Sequence, residues 1–233
     1  PYEEQYHSTR FVTERTQQFI RESCEGDEPW MALCSYPDPH HPVCPPGPWF
    51  DRHSPNDMPL PQSRHDPLEH APAHLRLFQG VHPAKQRDWV APCGFGNDRL
   101  LSQAIAATYG MIEMIDEGVG QILRQLEELG VRDNTIIVFT SDHGDMMGDH
   151  GLFLKGFMHY RGTLQVPLVI DAPGMPALRS DGLSSSIDIA PTLLELCSLA
   201  GYDGIQGKSL TPMLADAAAR VRDHILIEDD VAT

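Results

Sequence analysis

The chain has 233 residues, with 33 Asp+Glu against 17 Lys+Arg and a formal net charge of −16 at pH 7. That length can bury one sizeable core, and an acidic surface repels phosphate backbones, so nucleic acid is excluded as a partner and any anion site has to be built locally from a metal or a few placed cations. No apolar run approaches the ~18–20 residues that a membrane span needs, so no membrane partner is expected.

Residues 6–24 read as a helix, because Phe11, Val12, Phe19 and Ile20 can share one face and Gly26 follows as a stop. The short apolar run Trp30-Met31-Ala32-Leu33-Cys34 fits a buried strand. The character then changes: thirteen of the 20 prolines and many histidines fall within 37–92. Proline fixes φ and removes a backbone donor, so 37–99 is expected to be a long irregular excursion over the active face. Residues 100–129 carry the clearest helical period, through Leu101, Ala104, Ile105, Thr108, Met111, Ile112, Ile115, Val119, Ile122, Leu126 and Leu129, with Gly130 placed to end it. Thr135-Ile136-Ile137-Val138-Phe139-Thr140 is apolar and β-branched throughout, which suits a central parallel strand covered on both faces.

Val166-Pro167-Leu168-Val169-Ile170 is a further strand, and its proline suggests an edge or a strand start. Residues 188–199 read as a helix with Asp188 as its cap, Pro191 in the first turn and Gly201 beyond the end. Ile225-Leu226-Ile227 is expected to form a last strand. Strands alternating with helices imply an α/β layered domain, whose ligands collect at the C-terminal ends of the strands.

The five cysteines, Cys24, Cys34, Cys44, Cys93 and Cys197, are odd in number and form no C-x-x-C pair. That argues against a disulfide framework and a structural zinc site, and it is the only pointer to a reducing, cytoplasmic compartment. The chain opens at Pro1 without a Met, so it is expected to be processed or cut from something longer, and whether a targeting segment went with the missing part stays open.

The central strand runs into Ser141-Asp142-His143-Gly144-Asp145. An Asp and a His delivered together at a strand end are good ligands for a divalent cation. The segment from Asp142 to Gly156 closely resembles the sulfatase pattern S-D-H-G-x-x-x-G-x-H-G-x-x-x-K. Pro39-His40-His41-Pro42 resembles the family's P-H-x-P, and Val166-Pro167-Leu168 its V-P-L strand. Ser186-Ile187-Asp188-Ile189-Ala190-Pro191-Thr192-Leu193-Leu194 resembles its D-I-x-P-T-L-L helix start, and Gly207-Lys208-Ser209-Leu210 its late G-x-S-L. Five motifs in order, from near residue 6 to about 214, mark a resemblance to the sulfatases of the alkaline phosphatase superfamily.

The resemblance implies an alkaline phosphatase-like α/β/α sandwich with a mostly parallel sheet, incomplete because its N-terminal part is missing. Residues 1–214 would be the C-terminal part of the catalytic domain and 215–233 the truncated start of a C-terminal region. It implies a sulfuric ester hydrolase acting on a small sulfate ester through a hydrated formylglycine. A divalent metal, calcium first and Mn or Mg as alternatives, would hold the nucleophile and sulfate oxygens together. Asp142 and His143 match the later pair of the four metal ligands, and Lys155 matches the lysine that contacts the sulfate. His40 matches the histidine near the leaving oxygen, a general acid or sulfate contact; His41 competes with it, and the P-H-x-P register selects His40. His150 matches a position given structural work around the site. His159 and Arg161 could line the pocket, with surface placement the simpler reading; His53, His65, His70, His74 and His82 read as solvated loop residues that could shape substrate choice.

No cysteine lies in the nucleophile motif C-x-P-S-R or C-x-A-x-R; Cys44-Pro45-Pro46-Gly47-Pro48 shares only the proline. The early acidic pair and the G-K-W-H type segment are also absent. The chain alone is therefore expected to be inactive, poorly metallated and prone to associate through open sheet edges. Two alternatives stand beside the sulfatase reading: a phosphonate or phosphate ester hydrolase of the same superfamily, and a non-catalytic half-domain.

Overall fold

The computed structural model describes residues 3–80, 93–94 and 97–228. In chain order the regular elements are α1 (Ser8–Ser23), α2 (Gly47–Phe50), α3 (Ala73–Gln79), β1 (Cys93–Gly94), α4 (Asp98–Glu128), β2 (Ile137–Thr140), β3 (Leu152–Phe153), α5 (Arg161–Leu164), β4 (Leu168–Asp171), α6 (Ile189–Leu196) and α7 (Thr211–Ala215). They divide into two compact units, residues 1–132 with 144–164, and residues 133–143 with 165–233.

In the first unit α4 is the long support, as its period predicted. Asn97 caps it by accepting the Leu100 amide through its side chain at 3.2 Å, and Gly130 follows at φ +69°, the left-handed turn that glycine takes without penalty. Leu101, Ile105, Met111 and Leu126 are buried, while Ile112 and Leu129 of the same predicted stripe are exposed.

Helix α1 packs on α4 by a face other than the expected one: Phe11 and Phe19 are exposed, and Thr9, Thr13 and Ile20 are buried. Threonines serve there because the helices approach closely and each hydroxyl finds a partner. Thr13 Oγ1 donates to the Thr9 carbonyl at 2.9 Å and lies 3.0 Å from the Tyr36 hydroxyl, and Thr9 Oγ1 donates to Asp38. Burial holds the Tyr36 hydroxyl above the ordinary tyrosine range, with the Thr13 bond opposing that shift and Cys34 adding to it. Gly118 makes the approach sterically possible, since a Cβ there would sit 2.5 Å from Thr13 Oγ1 and 3.0 Å from the Tyr36 hydroxyl. Gly118→Ala is therefore expected to lower stability by about 1–3 kcal/mol, read as a drop in melting temperature; an unchanged melting point would mean that α1 and α4 do not meet this way.

Trp30-Met31-Ala32-Leu33-Cys34 is not a buried strand. It is extended, has no ladder partner among the described residues, and leaves Met31 76% and Leu33 86% exposed. An apolar run becomes a buried strand only where a sheet receives it, and none is described beside this one. The stretch after it is more ordered than its prolines suggested: α2, α3 and two 3-10 turns, Pro55–Asp57 and Gln62–His65, occupy much of 47–79. Proline permits this by sitting in the first turn of α2 and of the Pro55–Asp57 turn, where its missing N–H has no partner to lose.

In the second unit β2 pairs with β4 antiparallel, with Phe139 opposite Val169 and Val138 opposite Ile170. The expected central parallel strand is thus a member of a two-stranded antiparallel pair, as is β1 with β3 in the first unit. Nor is β2 covered on both faces: Phe139 is 44% and Val169 58% exposed, side by side. Pro167 directly precedes β4, a strand start where its missing donor breaks no ladder bond. Ile225-Leu226-Ile227 forms no strand, and Leu226 and Ile227 are exposed.

Asp188 does not cap α6 with its side chain as expected. It is fully buried and accepts the Ser185 amide at 2.8 Å on one oxygen, and on the other the Lys208 amide at 2.8 Å and the Arg222 guanidinium. Thr192 extends the network, donating to the Asp188 carbonyl at 2.6 Å and accepting the Leu210 amide at 2.8 Å. The D-I-x-P-T helix start, the G-x-S-L segment and the tail are thereby tied to one carboxylate.

Candidate active site

Asp142 and His143 follow β2 after Ser141, at the strand's C-terminal end. The Asp142 carboxylate accepts the His143 amide at 2.9 Å, and the Ser141 hydroxyl donates to the His143 carbonyl at 2.9 Å, so the turn holds the Asp142 side chain against the His143 backbone. The slight desolvation of the largely exposed Asp142 carboxyl pushes it up, but the His143 amide, the His143 ring charge and the Ser141 hydroxyl outweigh it and hold it below the usual carboxylate range. The two donors, Asp142 Oδ2 and His143 Nε2, are 3.5 Å apart, a spacing one ion can bridge at bond lengths of about 2.0–2.6 Å. An ionised carboxylate beside an imidazole, with the Asp142 side chain 83% exposed, fits a divalent cation in kind. Among the described residues no three His, Cys, Asp or Glu side chains converge on one point, so no complete metal site is assembled among them.

In the first unit Lys155 ends a tightly curled loop. Asp145 Oδ1 accepts the Met147 amide at 2.9 Å and the Leu154 amide at 3.0 Å, which clasps the two ends of the curl. Inside it, Met147, His150 and Leu154 take positive φ values of 43°, 53° and 70°. Non-glycine residues hold such conformations only where the surroundings over-determine them, commonly at functional sites. Burial pushes the Asp145 carboxyl up; the two amides and the charges of Lys155 and His41 oppose that shift. Lys155 and His41 are therefore near enough for their charges to act on the Asp145 carboxyl, and Lys155 is half-buried.

His40 and His41 do different things. The rings stack at 4.0 Å between centroids and 29° between planes, and His40 Nδ1 lies 2.7 Å from the His41 carbonyl. A carbonyl only accepts, so Nδ1 carries the hydrogen and Nε2 is the nitrogen that the exposed His40 ring presents. His41 is the more buried of the two and is the one whose charge reaches Asp145.

His150 is built into the protein rather than displayed. Its Nδ1 is 2.7 Å from Asp66 Oδ2 and its ring stacks on Tyr160 at 4.2 Å. The Leu68 amide first, then His150, hold the Asp66 carboxyl below the usual range; burial, with the charges of Asp66 and Asp149, raises Tyr160. Of the loop histidines, His53 is half-buried, edge-on to Tyr109 at 5.5 Å and 3.5 Å from Glu113, so it is a packed residue and not a solvated one. His74 Nε2 is 3.2 Å from the Phe157 carbonyl, while His65 and His70 are exposed and His82 lies outside the described residues. His159 and Arg161 are exposed.

Asp145, Asp66 and Gln79 were not singled out by their sequence. Asp145 could have been, since it closes the S-D-H-G-D string; Asp66 meets His150 across 84 residues of chain and carries no local signal.

Residues 1–199 match the sulfatase family profile, so the chain belongs to the sulfatase family, within the alkaline phosphatase superfamily. It is 33% identical over 231 residues to an arylsulfatase from Clostridium perfringens, covering 96% of this chain and 45% of that protein. Among solved structures it resembles the phosphonate monoester hydrolase of Agrobacterium radiobacter, at 30% identity and a TM-score of 0.75, over 92% of this chain and 43% of that one. The phosphonate monoester hydrolase of Silicibacter pomeroyi, at 24% identity and a TM-score of 0.73, shares the fold over 92% of this chain and 42% of that one. The fold is thus the alkaline phosphatase-like α/β type, and the chain spans less than half the length of these relatives.

Proposed function

We propose that this chain is the C-terminal part of the catalytic domain of a metal-dependent sulfuric ester hydrolase. The observation that carries the reading is the sulfatase match over residues 1–199, which includes Asp142-His143 at the end of β2 and Lys155 at the end of its clasped loop. In this reading Asp142 and His143 hold a divalent cation, calcium in the first instance. A cation bound there would supply Lewis acidity to the ester oxygens and lower the pKa of the nucleophile. Lys155 places an ammonium against the sulfuryl oxygens, where negative charge gathers as the ester bond breaks. His40, with Nδ1 committed to the His41 carbonyl, offers Nε2 to the leaving oxygen and donates a proton from it when the ring is charged. His150 supports the loop that ends in Lys155.

The nucleophile, a formylglycine in this reading, comes from a segment this chain does not contain; no cysteine here stands in the required motif. The exposed Met31 and Leu33 and the open face at Phe139 and Val169 are apolar surfaces that the remainder of such a domain would cover. A second reading has a specific observation in its favour: the similarity to a phosphonate monoester hydrolase at 30% identity, whose monoanionic substrate would suit the same lysine.

The 233-residue chain alone is expected to give no turnover of an aryl sulfate. A longer protein that joins it to the preceding half of the domain hydrolyses that ester and loses the activity to a chelator. Turnover by the isolated chain would overturn the proposal, and a longer protein that prefers an aryl phosphonate monoester to the sulfate would select the second reading.

A further inference from the structure

We infer that Asp66 is a positioning residue for the loop that presents Lys155, acting through His150. The inference rests on the role given to Lys155 above, but its geometry stands by itself. Two tethers run in parallel between residues 62–79 and the loop. In the first, the Asp66 carboxylate reaches His150 Nδ1 at 2.7 Å with one oxygen and accepts the Leu68 amide at 2.9 Å with the other. In the second, the Gln79 side-chain amide donates at once to the Asp66 carbonyl at 2.7 Å and the His150 carbonyl at 2.9 Å. Ser63 closes the arrangement: its hydroxyl accepts the His150 amide at 3.1 Å and donates to Asp149. Backbone and ring of His150 are therefore both committed, which is what a non-glycine residue at φ 53° requires.

Beneath these tethers Leu68 and Leu75 from one side pack with Met146, Leu152 and Met158 from the other. The apolar contact gives adhesion without register, because a hydrophobic surface can slide; the directional bonds to His150 fix where the curl sits. Asp145 then clasps the curl at Met147 and Leu154, and Lys155 follows immediately. Displacing His150 displaces that end. Residues 62–79 are by this account a cradle for Lys155 rather than a lid over it.

The test uses the chain as it is and needs no turnover. Its only lysines are Lys85, Lys155 and Lys208, so reductive methylation with a 13C label gives three resolvable side-chain signals, assigned with Lys155→Arg. Asp66→Asn is expected to move or broaden the Lys155 signal and to speed amide exchange across 146–160 at least tenfold. The Lys208 signal, whose amine donates to the Val221 carbonyl at 3.0 Å, and the amides of α1 and α4 stay as they were. An unmoved Lys155 signal, with faster exchange confined to 62–70, overturns the inference. Should α1 and α4 loosen as well, Gln79→Met decides by the same two readings, since it cuts the second tether without touching a charge: a loosened 146–160 with a shifted Lys155 supports the role, and an unmoved Lys155 overturns it. If Lys155→Ala leaves turnover of the longer enzyme intact, the proposed function of Lys155 fails while these readings keep their meaning.

Discussion

Replacing Lys155 by alanine in an active protein that contains this chain is expected to lower kcat/KM for a sulfate ester by about 10²–10³-fold. The lysine stands out because the chain is so acidic: a net charge of −16 repels an anionic ester at long range, so attraction has to come from a few cations held in place. The half-buried setting beside Asp145 and His41 raises the worth of each charge relative to bulk water. An ammonium follows a tetrahedral anion as its charge shifts toward the leaving oxygen, so kcat is expected to fall more than KM rises. Lys155→Arg should recover part of the loss, because the charge remains but the planar fork fits a curl built for a compact amine less well. Steady-state kinetics of the two variants settle the matter, and a loss below about threefold in the alanine variant would remove Lys155 from the proposed chemistry.

Local signals in the sequence were legible. The period of α4 and its end at Gly130 follow from side-chain spacing and from the backbone freedom of one glycine, whereas its start at Asp98, capped by Asn97, lies inside the stretch expected to be irregular. The placement of Asp142-His143 after β2 followed from a β-branched run ending in a ligand-like pair. What failed depended on neighbours. Trp30 to Cys34 and Ile225 to Ile227 are apolar enough for strands, but a strand exists only when another receives its hydrogen bonds, and none is described beside them. The direction of β2 against β4 was likewise set by the path of residues 141–167, which no property of either run encodes. Helix α1 was misread because periodicity counts apolar residues, while its contact with α4 is made by threonines at a glycine. In the site, Asp66 and Gln79 were invisible for the same reason: their partner His150 is 71 to 84 residues away, and a polar side chain acquires its role only from what folding sets against it.

Asp188→Ala is expected to destabilise the second unit by about 3–5 kcal/mol, the range seen when one partner of a buried ion pair is removed. The carboxylate is fully buried, and the Arg222 side chain that meets it is 11% exposed, so solvent cannot stand in for the lost group. Three donors are orphaned together, the Ser185 and Lys208 amides and the Arg222 guanidinium, whose Nε is already buried without a partner among the described residues. Each tie belongs to a different stretch of chain: the turn into α6, the segment before α7, and the tail. The loss therefore uncouples all three rather than loosening one. Asp188→Asn keeps the acceptor on one side and forfeits the charge, so it is expected to cost less than alanine. Pairing Asp188→Ala with Arg222→Met removes the uncompensated cation and should recover part of the deficit. Amide exchange on the chain separates the outcomes: residues 185–222 exposed at a lower denaturant concentration than α1 and α4 follows from the arrangement described, whereas a change below about 1 kcal/mol would mean that the carboxylate is not what ties the α6 turn, the α7 approach and the tail together.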